Sequence, residues 1–269
     1  MQIQPLHLIF LSIIQAATEF LPVSSSGHLL FLKGIFHEED IPIIFDITIH
    51  VASLMAILIF YRKKIMMTFS RAWSERSAQR WERPNLRFLA YAVLSTIVTF
   101  AFYITLKDPI ESMYRSPRIL VFTYLATTIL LFMTRFSPKR HAAVTQKSIW
   151  TAFVVGLVQG MAIMPGISRS GSTIAVQLIM GVRKEDAAYY SFFLAIPAIL
   201  GALFFQLLEL ASIQFLKDHR AIVIVAFVLC MALSYAFLVI LVWVIRRGKL
   251  WMFSMYTLAM AALAWFLFG

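Results

Sequence analysis

Apolar residues run along this chain in long blocks, and the block lengths predict its elements. Six blocks read as continuous spanning helices: Ile43–Tyr61, Leu86–Leu106, Arg118–Arg135, Ala187–Leu208, Ala221–Ile245 and Leu250–Phe268. Each approaches the ~20 helical residues that cross a ~30 Å hydrocarbon core. Two further blocks are interrupted. Leu6–Leu32 is broken at Pro22-Val23-Ser24-Ser25-Ser26-Gly27-His28, and the stretch from Ile149 to Val182 is broken behind Pro165-Gly166 by Ser168, Arg169 and Ser170. The arms Ile149–Met164 and Ser172–Val182 are too short to cross. They predict re-entrant helix–loop–helix hairpins, whose irregular backbone has to lie in protein or line a water-filled cavity.

The two breaks are copies of each other. Gln15 to Gly27 spans the same distance as Gln159 to Gly171, so Ser24-Ser25-Ser26-Gly27 aligns with Ser168-Arg169-Ser170-Gly171 at an offset of 144 residues. Each half then reads as one broken hairpin followed by three crossings. An odd number of crossings turns the second half upside down, which predicts an inverted-topology repeat. The expected fold is therefore all-α and integral to a membrane, one transmembrane domain over 1–269. Its repeats are 1–140 and 141–269, with six transmembrane helices and two re-entrant hairpins.

Composition agrees: 61% of the 269 residues are hydrophobic and the mean hydropathy is +0.81, well above the ~45–50% apolar content of soluble domains. The single cysteine, Cys230, excludes an internal disulfide. The N-terminus lacks a basic region and a small-residue cleavage site, which predicts no removed signal peptide. The net charge of +11 has a topological reason. With the basic stretch Arg62–Arg87, read as the one long loop, on the cytoplasmic side, 17 Lys and Arg lie on that side and six on the other; Arg169 alone falls within the membrane. That split follows the positive-inside rule and makes a nucleic-acid partner unnecessary. It places both termini and the short acidic loop Glu38-Glu39-Asp40 outside.

Chemistry concentrates at the breaks. An arginine in lipid is a functional-site signal, and Arg169 can clamp phosphate oxygens with two parallel hydrogen bonds. Half-helices starting near His28 and Ser172 would aim their N–H groups at the same anion, and the hinge serines can cap them. Gln15 and Glu19 stand one helical turn apart. An ionised Glu19 only accepts, so beside an anion it wants a cation, and a hard divalent metal held with Gln15 fits. His28 can move a proton or attack phosphorus. Asp46 and His50 form a second pair four residues apart.

These residues carry a resemblance to a known family. Gln15-Ala-Ala-Thr-Glu19 followed by Leu21-Pro-Val-Ser-Ser-Ser-Gly-His28 resembles the E/Q-x-x-x-E and L-P-V-S-S-(S/T)-G-H motifs of the bacterial undecaprenyl-diphosphatases, also called bacitracin-resistance proteins. Pro165-Gly-Ile-Ser-Arg-Ser-Gly-Ser-Thr173 resembles their P-G-x-S-R-S-x-x-T motif, and Phe45-Asp46-Ile-Thr-Ile-His50 a third block. The chain departs from the pattern at Gln15, often glutamate in the family, at Ala16 for a usual glycine, and at Ala52-Ser53 for a usual Gly-Thr.

The resemblance implies a multi-pass enzyme of the bacterial plasma (inner) membrane, its active site opening to the outer, periplasmic side. It would hydrolyse undecaprenyl diphosphate to the monophosphate, recycling the carrier lipid for cell-wall synthesis and conferring bacitracin resistance. Glu19, Ser25, His28 and Arg169 are implied as catalytic. Ser24, Ser26, Ser168, Ser170 and Thr173 would bind phosphate, and Gln15 and Glu19 a divalent cation, Mg2+ or Ca2+. The implied partners are a polyprenyl diphosphate lipid and membrane lipids, with no nucleic acid; a homodimer is compatible. The competing reading is a lipid-phosphate flippase using the same cavity, since inverted repeats with broken helices are transporter architecture. The acid-phosphatase-like lipid phosphatases are excluded, because the histidine they need six positions after the arginine is Ala175 here.

The charge split makes the topology testable. Cysteine introduced at Glu75 should react with an impermeant thiol reagent only from the cytoplasm, and at Glu38 only from outside. Labelling of both positions from one side would end the inverted-repeat reading.

Overall fold

The computed structural model describes residues 5–36, 41–77, 83–138, 141–207 and 210–268. The predicted acidic loop 38–40 lies outside them. The described residues form helices α1 (Pro5–Phe20), α2 (Ser25–Phe36), α3 (Ile43–Ser74), α4 (Pro84–Met113), α5 (Ile119–Met133), α6 (Ile149–Met161), α7 (Arg169–Ile179), α8 (Lys184–Gln206), α9 (Leu210–Asp218), α10 (Arg220–Arg246) and α11 (Phe253–Phe268), joined by turns and short 3-10 segments. Among them six helices are long and apolar enough to cross a membrane, so the protein is an all-α, multi-pass membrane protein. At 16, 12, 13 and 11 residues, α1, α2, α6 and α7 fall short of the ~20 residues that crossing takes.

One expected loop is largely helix. The basic stretch after Tyr61 continues α3 as far as Ser74. Its Lys and Arg fall around a face whose Thr68 and Ala72 are buried, and Thr68 Oγ1 lies 2.9 Å from the Tyr189 hydroxyl of α8. Composition signalled polarity there, but helical periodicity buried one side. Glu75 then accepts the backbone N–H groups of Asn85 and Leu86, both at 2.9 Å, a carboxylate at the positive end of α4. The short helix α9 was not expected either. Both second arms begin earlier than predicted, at Ser25 and Arg169 instead of near His28 and Ser172.

Packing follows the sequence repeat. On α6, Gly156 and Gly160 let α4 approach closely. A Cβ at Gly156 would sit 2.6 Å from the Ser95 carbonyl oxygen, and one at Gly160 would sit 2.7 Å from Phe102 Cβ. The positions 144 residues earlier are Ser12 and Ala16 on α1, both fully buried in a helix that packs against α10. Small residues one turn apart are the usual means of close helix approach in membranes. In the same way α7 packs on α5 while Phe31 of α2 stacks edge-on with Phe268 of α11, ring centroids 5.4 Å apart. Helix α4 kinks at Leu106 (φ −117°, ψ 18°), just before Pro109, whose missing donor and ring disfavour a straight helix. Tyr114, at its end, donates to the Ile163 carbonyl at 2.9 Å.

The helix pairs meet tip to tip. A Cβ on Gly27 would lie 2.9 Å from Gly166 Cα and 2.6 Å from the Tyr124 hydroxyl. Gly166 itself has φ +92°, a conformation that favours glycine. Ser170 Oγ of α7 donates to the carbonyls of Glu19 and Phe20, both at 3.2 Å, which closes the end of α1.

The close approach of α6 and α4 can be tested away from these tips. Gly156→Ala should destabilise the detergent-solubilised protein by about 1–3 kcal/mol through overpacking, read as a lower thermal-unfolding midpoint. Gly201→Ala, where a Cβ meets nothing within 4 Å, should leave the midpoint unchanged or slightly raised. Equal responses would show that the glycines of α6 do not set the contact.

Candidate active site

Each tip is built by one serine. Ser24, at φ 69°, accepts the Gly27 N–H on its side chain at 3.2 Å. Ser168 does the same for the Gly171 N–H at 3.1 Å. Donors and acceptors in the two caps are both 144 residues apart, so the repeat seen in the sequence is a repeated cap. Each cap leaves the N–H groups of the first helical residues without an intrahelical acceptor. Arg169 is the first residue of α7, so its side chain leaves the fold where backbone donors and the positive helix end also point.

The tips bring Glu19 and Arg169 together. The Arg169 Nη2–H donates to Glu19 Oε1, pairing the two breaks through their charges. The pair is nearly enclosed, with side-chain exposures of 6% for Glu19 and 17% for Arg169. The other carboxylate oxygen, Oε2, has a different set of neighbours. The Ser25 hydroxyl donates to it at 2.7 Å and Gln15 Nε2 at 3.0 Å. His50 Nε2, from α3, stands 3.5 Å away. One carboxylate thus has an arginine side and a side lined by Gln15, Ser25 and His50. Two buried polar atoms here lack a partner, Arg169 Nη1 and Gln15 Oε1. A free guanidinium donor beside a helix N-terminus suits an anion. A free amide oxygen beside a carboxylate suits a cation.

The remaining predicted residues separate into groups. Ser24 and Ser168 are caps, and Ser26 Oγ lies 3.3 Å from Ser24 Oγ. Ser170 is spent on the end of α1. Thr173 Oγ1 donates to the Arg169 carbonyl at 2.8 Å and lies 2.6 Å from Ser191 Oγ on α8. Ser170 and Thr173 thus donate to backbone carbonyls while Ser168 Oγ accepts a backbone N–H, and all three hydroxyls help to hold the loop.

His28 has partners of its own. Its Nδ1–H donates to the Ser24 carbonyl at 2.7 Å, and its Nε2 accepts from the Tyr256 hydroxyl at 2.8 Å, with Tyr124 edge-on to the ring. No contact among the described residues joins His28 to Glu19 or Arg169. The histidine beside Glu19 is His50, whose one-turn spacing from Asp46 was visible in the sequence but carried no site signal by itself.

The family model for the bacitracin resistance protein BacA matches residues 8–263 of the chain. Among curated relatives, the undecaprenyl-diphosphatase of Alteromonas mediterranea is 34% identical over 265 residues, covering 98% of each chain. That of Halorhodospira halophila is 33% identical over 272 residues, covering 94% of each. That of Treponema denticola is 34% identical over 252 residues, covering 92% of this chain and 91% of its own. With the match running from the first turn of α1 into α11, through both capped tips and the Glu19–Arg169 pair, the chain belongs to the bacitracin resistance protein BacA family.

Proposed function

We propose that this protein hydrolyses a polyprenyl diphosphate, undecaprenyl diphosphate, to the monophosphate and inorganic phosphate in the bacterial inner membrane. The observation that carries this reading is the Ser25–Glu19 hydrogen bond beside Arg169. A hydroxyl donating at 2.7 Å to a carboxylate is a nucleophile with its base, and the neighbouring guanidinium with a free buried N–H is the place for a phosphoryl group. The undecaprenyl-diphosphatase names of the relatives support the substrate class.

In this mechanism the terminal phosphate takes over Arg169 from Glu19 and settles on the guanidinium and the first N–H groups of α2 and α7. Glu19, released from the arginine, is the stronger base for Ser25. Ser25 Oγ attacks phosphorus as its proton passes to Glu19, the P–O bond to the lipid monophosphate breaks, and the lipid monophosphate leaves. Glu19 hands that proton to the departing oxygen of the lipid monophosphate, then takes a proton from the water that attacks the phosphoserine and returns it to Ser25 Oγ as the Oγ–P bond breaks and inorganic phosphate leaves. His28, braced by Tyr124 and Tyr256, holds the carbonyl of the Ser24 cap and so the start of α2.

The residues fit a divalent cation: Gln15 Oε1 is a buried acceptor without a donor, one turn from the carboxylate. Among the described residues there is no group of three or more His, Cys, Asp and Glu that could hold a metal, so Gln15 and Glu19 would hold the ion jointly with the diphosphate, as carboxylates and substrate phosphates commonly do. Such an ion would neutralise charge on the substrate's phosphate oxygens.

The helix pairs are read as opposed re-entrant hairpins of an inverted repeat, halves 1–140 and 141–269. The 17-to-six charge split supports an opening on the outer side. A flippase would use Arg169 and the helix ends equally well, but has no use for a hydroxyl hydrogen-bonded to a base.

Purified protein should release phosphate from a long-chain polyprenyl diphosphate, and a chelator should suppress that release. Ser25→Ala and Glu19→Gln should each lower kcat about 10²-fold or more, while the lipid still binds. Arg169→Lys keeps the charge but loses the planar fork, and should cost more than tenfold in kcat/KM, from the roughly 1.5–3 kcal/mol of a charged hydrogen bond. Normal hydrolysis by the Ser25 and Glu19 variants would remove both residues from the chemistry, and lipid flipping without phosphate release by the unaltered protein would replace the enzyme with a transporter.

A further inference from the structure

We propose that His50 is a third protein ligand of the site's divalent cation. The inference rests on the reading above, in which Glu19 and Gln15 hold a cation.

The argument begins with the ring. His50 Nδ1 lies 2.7 Å from the Asp46 backbone carbonyl, an acceptor, so Nδ1 carries a hydrogen. The Nε2 lone pair then faces Glu19 Oε2, a second acceptor, at 3.5 Å. Two acceptors turned toward each other call for something positive between them. Gln15 adds a third: its Nε2 is 3.0 Å from the same Oε2, and its Oε1 is buried and unpartnered. Turning the amide over would place Oε1 where Nε2 now stands. Ligands about 2.1 Å from one octahedral ion lie about 3 Å apart, near both spacings.

The support of His50 points the same way. Metal-bound histidines almost always donate their other ring N–H to a carbonyl or carboxylate, which fixes the tautomer. The Asp46 carbonyl does this from one turn earlier in α3. Asp46 is itself anchored, its Oδ2 accepting from Lys33 Nζ of α2 at 2.7 Å. That ion pair ties the first turn of α3 to the hairpin that carries Ser25. With a side-chain exposure of 26%, His50 is open enough for an ion to reach.

An imidazolium–carboxylate pair would also satisfy the 3.5 Å contact. It leaves Gln15 Oε1 without a partner, and it would give no nitrogen signal to a bound ion. Mn2+, which accepts both nitrogen and oxygen donors, is a suitable spectroscopic probe of such a site.

The test needs no turnover. Mn2+ is added to the full-length protein in detergent, without lipid, and the ion is observed by pulsed electron paramagnetic resonance. The expected spectrum carries a histidine nitrogen coupling that converts from 14N to 15N when the protein is made with 15N-histidine. The coupling should vanish in His50→Ala, with a Mn2+ Kd raised at least about tenfold. Bound Mn2+ without nitrogen coupling in the unaltered protein, or a coupling that survives His50→Ala, overturns the assignment of His50 while leaving Glu19 and Gln15 as ligands. Glu19→Gln separates the two readings: loss of Mn2+ binding there supports the shared site, whereas nitrogen-coupled binding that persists places the ion elsewhere and overturns both. Absence of Mn2+ binding to the unaltered protein also overturns both, and the chelator arm of the phosphate-release assay reports independently on the metal in turnover.

Discussion

A carboxylate and a guanidinium enclosed in an apolar helix bundle are costly apart and tolerable together, and Glu19 and Arg169 are brought together from opposite halves of the chain. Removing one partner of such a pair leaves an uncompensated buried charge, a loss of about 3–5 kcal/mol. The pairing also determines how the chain is broken. Each residue lies where a short helix is ending or has just begun. The Glu19 side chain leaves the last turn of α1, and Arg169 is the first residue of α7. The contact places the site at the meeting point of two helix ends, where backbone donors are free to take an anion.

Breaking helices in apolar surroundings exposes backbone groups that must find partners, and the polar residues near the tips are largely occupied with that task. Ser24 and Ser168 cap the second arms. Ser170 closes α1. Thr127 Oγ1 donates to the Gly166 carbonyl at 3.0 Å and accepts the Ser168 N–H at 3.2 Å. Tyr114 serves Ile163 from the kinked end of α4. Among the described residues, Gln15, Ser25, His50 and Arg169 are the side chains gathered around the Glu19 carboxylate. A site of so few groups relies on substrate oxygens to complete it, which suits a diphosphate.

Much of this was legible before any coordinates. Two Pro/Gly/Ser interruptions at matched spacing located both tips, because a break in a membrane helix needs the same capping residues wherever it occurs. The sequence brought Glu19 and Arg169 to one cavity but gave them separate tasks, a metal and a phosphate, and their direct pairing came only with the structure. What the sequence did not resolve were choices between equivalent donors. Serine and threonine serve caps and phosphates alike, so the bonds of Ser170 and Thr173 to backbone carbonyls could not be told from the sequence. His28 adjoins the serine motif and His50 does not, yet helix direction turns the first toward Tyr256 and brings the second to Glu19. Lys and Arg after Tyr61 masked the helical period that buries Thr68 and Ala72 against α8.

The central claim is that Glu19 and Arg169 work as one unit across the two helix breaks. A double-mutant cycle on phosphate release from a polyprenyl diphosphate, using Glu19→Gln, Arg169→Gln and both together, tests it most directly. Residues that act as a unit are strongly non-additive, so the double variant should release phosphate no more slowly than the slower single variant. Losses that multiply, each substitution costing its full factor in the presence of the other, would contradict the account.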